Sequence, residues 1–451
     1  MSLMRRRAAT VSVAGALLMA STAACGGDGE GRAAANARAA TSGASVPATA
    51  ATPDSTEITP DSTEVTASSA PGRSADGVLT IGTLLPVSGP GNQIGIAGIN
   101  AVNVGIQEIN EAGGVLGQPV QWVNASEGIT ADETRAGIDQ LLAANIDAII
   151  GPASSLVALE VLDELMAAGV VVCSPTATAL ALNDYPDRDL FFRTVPSDSL
   201  TAQAIAAVAL NTGVDSYAVV YLDDQFGRPF AQQTINRLAG PEAPELLDRP
   251  FASDATAEEL AELATELSEQ APRTIVLIAD SAHGWPMLQA LSDVFPSDPP
   301  FIFINDAMRA PPSTDVVVGL PTEFREMIQG VSPVVPPVLP PQGSELPGAY
   351  ATNTLDCLNL IALAAVWAGT DDPASIAADM IDASVVGTLC NSFAVCLNIA
   401  EDSRNFNYQG PNSIDFSSRG DPARGRIGIF RFDATGLDVP DAPVQITELA
   451  D

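Results

Sequence analysis

Small hydroxyl residues gather at two points of this chain. Ser154 and Ser155 follow Gly151-Pro152-Ala153, and Thr176 and Thr178 follow Ser174-Pro175. Each group comes directly after a short apolar run, at 148–150 and 170–173. Farther on, Asp223-Asp224-Gln225-Phe226-Gly227, Asp280-Ser281 and Asn305-Asp306 also close apolar runs. Hydroxyls and free backbone amides hold a carboxylate or polar head through hydrogen bonds, without machinery for breaking bonds. Any one Ser or Thr reads simply as a helix cap or turn residue. Their recurrence at successive strand ends points to a cradle for one small polar ligand.

Bond-breaking chemistry has little to work with. His283 is the sole histidine, and no GxSxG elbow, HExxH pair or CxxC pair is present. Any Ser–His scheme would rest on that one imidazole. Gly89-Pro90-Gly91-Asn92-Gln93-Ile94-Gly95 occupies the place of a dinucleotide fingerprint, but it reads GxGxxxG with Pro90 inside it. Asn124 stands where an acidic residue would meet a ribose. The expectation is therefore a binding protein without enzyme activity, cofactor or metal. An exported α/β enzyme is the weakest alternative.

The elements that position these residues follow from periodicity. Apolar runs at 78–85, 119–124, 148–150 and 170–173 read as strands. Between them, helical spacing appears in Ile99, Val102, Ile106 and Ile109, then over 132–145 and 156–168. A second alternation gives strands at 217–222, near 251, at 274–279, 301–304 and 327–331. Its helices are at 226–238, 257–270 and 286–294, and a further helix covers 349–367. A helix at 393–400 and strands at 414–416 and 427–432 close the body. Repeated strand–helix alternation implies parallel sheets covered by helices on both faces. Ligands of such sheets bind at the carboxyl ends of strands.

Composition sets the surroundings. The 451 residues suit two or three globular units, and 46% are hydrophobic. The net charge of −35 makes an acidic, solvated coat that repels nucleic acid. Residues 26–76 are almost all Gly, Ala, Ser, Thr, Pro and Asp, with Thr52-Pro53-Asp54-Ser55-Thr56-Glu57 repeated as Thr59-Pro60-Asp61-Ser62-Thr63-Glu64. Such a segment buries too little to order itself, and as a coil it spans on the order of 40 Å. Before it come Arg5-Arg6-Arg7, an apolar run at 8–20 and small residues ahead of Cys25. That run is too short for a comfortable membrane span. The segment resembles a bacterial lipoprotein signal, with Thr22 where such boxes prefer Leu. It implies a signal peptide at 1–24, a lipid on Cys25 as the only membrane attachment, and a tether over 25–77.

Several blocks together resemble the type 1 periplasmic binding proteins, specifically the branched-chain amino acid group of ABC importers. They are Ile81-Gly82-Thr83-Leu84-Leu85-Pro86-Val87-Ser88-Gly89-Pro90, Ile109-Asn110-Glu111-Ala112-Gly113-Gly114-Val115-Leu116-Gly117, and the two hydroxyl segments. Phe226-Gly227, Asn305-Asp306 and Tyr408-Gln409-Gly410-Pro411 complete the set. The resemblance covers 78–432 and implies two doubly wound parallel-sheet α/β lobes joined by three hinge crossings. Lobe one would be 78–196 and 328–415, lobe two 197–327 and 416–435, and 436–451 a tail. It also implies a ligand head held by Ser155, with Ser154 beside it, and by Thr176 and Thr178. Phe226 would cover the ligand where the family usually has Tyr. The family answers an amino acid's ammonium with a carboxylate from lobe two. An ungapped reading of 280–288 places His283 near that position, so Asp280, Asp223 or Asp306 substitutes, or the ligand is not an α-amino acid. An ABC permease is the implied partner, and a sensor acting through another protein uses the same body. Cys390 and Cys396 suit a small-loop disulfide, while Cys173 and Cys357 pair with each other or stay thiols. Sequence leaves all three connectivities of these four open.

Overall fold

The computed structural model describes residues 75–89, 91–239, 245–333, 348–403, 405–440 and 447–450. The expected signal peptide, Cys25 and nearly all of the tether lie outside them. The first α/β stretch contains β1 (Thr80–Pro86), α1 (Asn92–Glu111), β2 (Gln121–Glu127), α2 (Ala131–Ala143), β3 (Ala148–Ile150), α3 (Ser155–Ala168), β4 (Val171–Ser174) and β5 (Phe191–Arg193). Its five strands are parallel, in the order β2-β1-β3-β4-β5. β3 and β4 are completely buried, which is why they read as unbroken apolar runs.

The second stretch contains α4 (Asp198–Asn211), β6 (Ser216–Leu222), α5 (Gly227–Leu238), β7 (Glu245–Phe251), α6 (Ala257–Gln270) and β8 (Thr274–Ile278). It continues through α7 (Ser281–Val294), β9 (Phe301–Asn305), α8 (Thr314–Val318), α9 (Thr322–Met327) and β10 (Ile328–Pro333). Strands β7-β6-β8-β9-β10 repeat the strand order of the first sheet, again all parallel. The chain then forms α10 (Ala351–Ala368), α11 (Pro373–Met380), α12 (Asp382–Val385), β11 (Thr388–Cys390), α13 (Phe393–Ser403) and β12 (Phe406–Tyr408). Finally β13 (Arg424–Phe432), β14 (Asp438–Pro440) and β15 (Thr447–Ala450) extend the second sheet in antiparallel fashion.

Two expectations change here. Ile328–Pro333 pairs with β9 and β13, so it is a strand of the second sheet, whereas the expected first lobe resumed at residue 328. The chain returns to the first sheet only with α10. Residues 414–416 contribute a single bridge, Phe416 to Pro422, and the regular strand of that region is β12. α10 is long and apolar enough to cross a membrane, yet 83% of it is buried in the body. It packs on α1, α11 and the strands β3 and β4 and serves as a core helix.

The chain passes from one part of the body to the other three times, after β5, between β10 and α10, and after β12. Arg193 ties the first crossing to the third. Its guanidinium is fully buried, pairs with Asp421 through Nε and Nη2 at 3.1 and 3.0 Å, and donates to the carbonyls of Ala177 and Ala179. A buried ion pair is stable only when its remaining donors find acceptors, as they do here. Cys173 on β4 is bonded to Cys357 on α10, and Cys390 to Cys396. The first of these disulfides encloses the whole second stretch.

Candidate functional site

Doubly wound sheets place ligands beyond the carboxyl ends of their strands, at the point where strand order reverses. In the first sheet that point lies between β1 and β3. There the chain turns sharply at Gly151, at φ +118°, and a side chain on it would strike the Leu84 carbonyl at 2.0 Å. The turn leads into α3, and Ser154 caps the helix by accepting from Val157 N–H. The Ser155 hydroxyl accepts from Ala179 N–H at 3.2 Å. Thr176 donates to the Ala153 carbonyl at 2.7 Å, and Ser174 to the Pro152 carbonyl at 2.6 Å. The two hydroxyl segments predicted from sequence are therefore laced together. Thr178 is buried, and its carbonyl accepts from Asp198 N–H at 3.0 Å.

Asp198 is the residue that sequence reasoning missed. It opens α4 immediately after the cap Ser197, and its side chain is completely enclosed. No hydrogen bond of ordinary geometry reaches either carboxyl oxygen. Burial pushes its pKa well above the usual carboxylate range, and the charge of Asp306 adds to this. The neighbouring Thr178 hydroxyl and Arg193 offset part of it. Asp306, just past β9, is also buried. It accepts from the Tyr350 hydroxyl at 2.7 Å, while its Oδ1 has no partner. Burial raises the Asp306 pKa, and the Tyr350 hydrogen bond opposes that shift. Tyr350 precedes α10, so Asp306 and Tyr350 join the second sheet to the first stretch. One helical turn beyond Asp198 and Tyr350 lie Thr201 and Asn353. The Thr201 Oγ1 and the Asn353 Oδ1 are buried and equally without partners.

A buried polar atom left unpaired costs about 1–3 kcal/mol. Of these oxygens, the carboxyl oxygens of Asp198 and Oδ1 of Asp306 lie close enough for one group to act on the other, and they lack donors of their own. Most of the unpartnered oxygens are carboxyl or amide oxygens, which accept once the carboxyls are ionised, and the neighbouring Asn305 Nδ2 is a buried donor also without a partner. A donor-rich cation, above all an ammonium group, matches that demand. Among the described residues no group of His, Cys, Asp and Glu could hold a metal ion.

The other predicted residues lie apart from this cluster. Asp280 caps α7 through His283 N–H and pairs with His283 Nδ1 at 2.8 Å. Burial works against ionisation of Asp280, but His283 brings its pKa below the ordinary value, and Asp280 raises that of His283. Asp223 pairs with Arg228, and Asp224 holds the N–H groups of Phe226 and Gly227. These groups form a charged, internally paired rim at the ends of β6 and β8. Phe226 is buried edge-on against Phe230 in the apolar core shared by both stretches. A cavity of about 270 Å³ beside Arg273, Asp298 and Phe301 lies at the opposite, amino ends of β8 and β9.

Residues 78–327 match the periplasmic binding protein family. The chemotactic signal transduction system substrate-binding protein BasB of Halobacterium salinarum is 25% identical over 378 residues, 77% of this chain and 86% of that one. Among solved structures, the branched-chain amino acid transporter substrate binding protein LivJ of Streptococcus pneumoniae, in complex with isoleucine, superposes with a TM-score of 0.62. It is 16% identical, covering 82% of this chain and all of that one. A solute binding protein of R. palustris in complex with benzoate gives a TM-score of 0.61 at 15% identity, covering 83% and 98%.

Proposed function

This chain belongs to the periplasmic binding protein family, and on that premise we propose that it is an extracytoplasmic solute-binding protein for an amino acid or a closely related amine. The observation that carries the reading is the pair Asp198 and Asp306, buried where the two sheets meet with three unpartnered carboxyl oxygens. An ammonium group supplies three donors and the opposite charge. The hydroxyl side, Ser155 with Thr176 and Thr178, would take the solute's polar head. Phe226, buried against Phe230, and Asp280, paired with His283, would stay outside the contact.

Binding proceeds by closure. The solute docks on the first sheet's strand ends, and the second sheet swings over it about the three crossings. Closure is driven only by the difference in the solute's affinity for the two states. The loaded, closed body is what an ABC permease would recognise. A lipid on Cys25 and the segment up to residue 77 would keep the body at the membrane. A sensor that signals through a partner protein is the second reading, favoured by the likeness to BasB over 77% of the chain.

A thermal-shift screen of the purified protein tests this, using branched-chain and other L-amino acids, amides and small carboxylates. A ligand at one hundred times its Kd adds about 2.7 kcal/mol, which moves the melting temperature by several degrees. Stabilisation by amino acids is the expected result. Stabilisation by amine-free carboxylates alone would refute the reading.

A further inference from the structure

Glu127 ends β2 and is buried, 3% exposed, with no role in the site described above. Its two carboxyl oxygens accept from consecutive backbone amides, Ala153 N–H at 2.5 Å and Ser154 N–H at 2.9 Å. Those amides belong to the turn that opens α3, a helix of 14 residues whose amino end favours negative charge. The opposite side of the same turn is held by Ser174 on the Pro152 carbonyl and Thr176 on the Ala153 carbonyl. The turn is thus gripped on both faces, by hydroxyl donors and by one carboxyl acceptor. Ser155 follows directly; its hydroxyl accepts from Ala179 N–H, and its own N–H makes no hydrogen bond among the described residues.

We propose that Glu127 is a positioning residue of the ligand site: its carboxylate fills the first amides of the 153–155 turn and so fixes Ser155 for the solute. This rests on the binding reading above, but its decisive test does not need a solute.

The ionisation of Glu127 should be felt in the turn. A carboxylate accepts two amides with both oxygens, whereas the protonated acid keeps one good acceptor. No charged side chain acts on it directly. Glu133 on α2 is exposed and holds Ile129 N–H, Asp132 pairs with Arg135, and Arg135 also reaches Glu164 on α3. Burial alone raises its pKa to about 7, against the pull of the two amides. The grip on the turn therefore strengthens as pH rises through neutrality.

The experiment is amide NMR and hydrogen exchange of the full purified chain from pH 5 to 9, for wild type and Glu127→Gln. In the wild type, the Ala153 and Ser154 amides should titrate together with a midpoint near 7. In Glu127→Gln that titration should vanish and their protection should fall about tenfold, while amides of α10 are unchanged. Wild-type amides that do not titrate would overturn the proposal, and this arm holds even if the variant folds poorly. L-isoleucine is then added to both proteins. An affinity that rises through the same midpoint in the wild type, and is flat in Glu127→Gln, supports the proposal. An affinity independent of pH in both overturns the link to the site. Absence of L-isoleucine binding beside a normal amide titration would count against that solute, and the turn-holding role would stand on the amides.

Discussion

The carboxyl ends of the first sheet and the seam between the sheets are both crowded with polar groups, yet they differ in one respect. At the first sheet, Glu127, Ser154, Ser155, Ser174 and Thr176 satisfy one another or nearby backbone. At the seam, Asp198, Thr201, Asp306 and Asn353 keep oxygens without partners. The first region is a finished scaffold apart from the Ser155 N–H. The second keeps buried polar atoms without partners, and in the proposed reading a solute bearing donors would complete it. A count of polar residues at strand ends would rank the two alike, and only the accounting of hydrogen bonds separates them.

The sharpest way to break the comparison is at the seam. Asp306→Ala should weaken binding of an amine-bearing solute by roughly 3–5 kcal/mol, measured by calorimetry, since it leaves the ammonium buried without its charge partner. Asp198→Asn should weaken it by a smaller but clear margin, because burial favours the protonated form of Asp198 and the substitution removes the carboxyl that would ionise against an ammonium.

The scaffold makes a different prediction. Replacing Cys173 and Cys357 with Ser opens a loop of 184 residues and should cost roughly 3–5 kcal/mol of stability by denaturant unfolding. The preference for amines over other solutes should survive, because the carboxylates of the seam remain.

Acidity probes both regions together. Glu127, and Asp356 buried on α10 where it accepts from Tyr408 and Asn412, titrate near 4.5 and 3.8 unfolded, but at about 7 and about 6 when buried in the fold. Their contribution to stability is full below the lower values and is lost as pH rises through the higher ones. For Glu127 the loss is on the order of 3 kcal/mol. Asp198 and Asp306 shift in the same direction. The melting temperature should therefore fall from pH 5 to pH 8. Asp280, whose pKa is lowered by His283, limits stability only at strongly acidic pH.

The smallest effects belong to the hydroxyls. Ser155→Ala and Thr178→Ala should each weaken binding by roughly 1–3 kcal/mol without unfolding the protein. Unchanged affinity in both would remove the first sheet from the site.

Much of this was legible in the chain. Fully buried strands such as β3 and β4 announce themselves as apolar runs, and helices with one wet face, such as α6, show their period. The hydroxyl segments were found because they sit at strand ends. α4 was not found, and Asp198 with it. This helix is packed on α5 and against β9, β10 and β13, so apolar and small residues surround it and no stripe appears. The signal that remained was Ser197 followed by an acidic residue, an ordinary cap. Asp280 misled for the opposite reason. It also stands at a strand end, but its sequence neighbour His283 engages it, and spacing alone does not show which of two nearby groups an acid will choose. The first-lobe boundary at 328 failed because a strand looks the same in either sheet, and only its pairing with β9 assigns it.

The central claim is that the acceptor-rich seam takes an ammonium group. It is tested most directly by differential scanning calorimetry of the purified protein with each common L-amino acid beside its des-amino counterpart, at equal concentration. The account predicts that at least one amino acid raises the melting temperature by several degrees and that its des-amino counterpart does not. A des-amino acid that stabilises as well as its parent, or an absence of stabilisation by every amino acid, would contradict it.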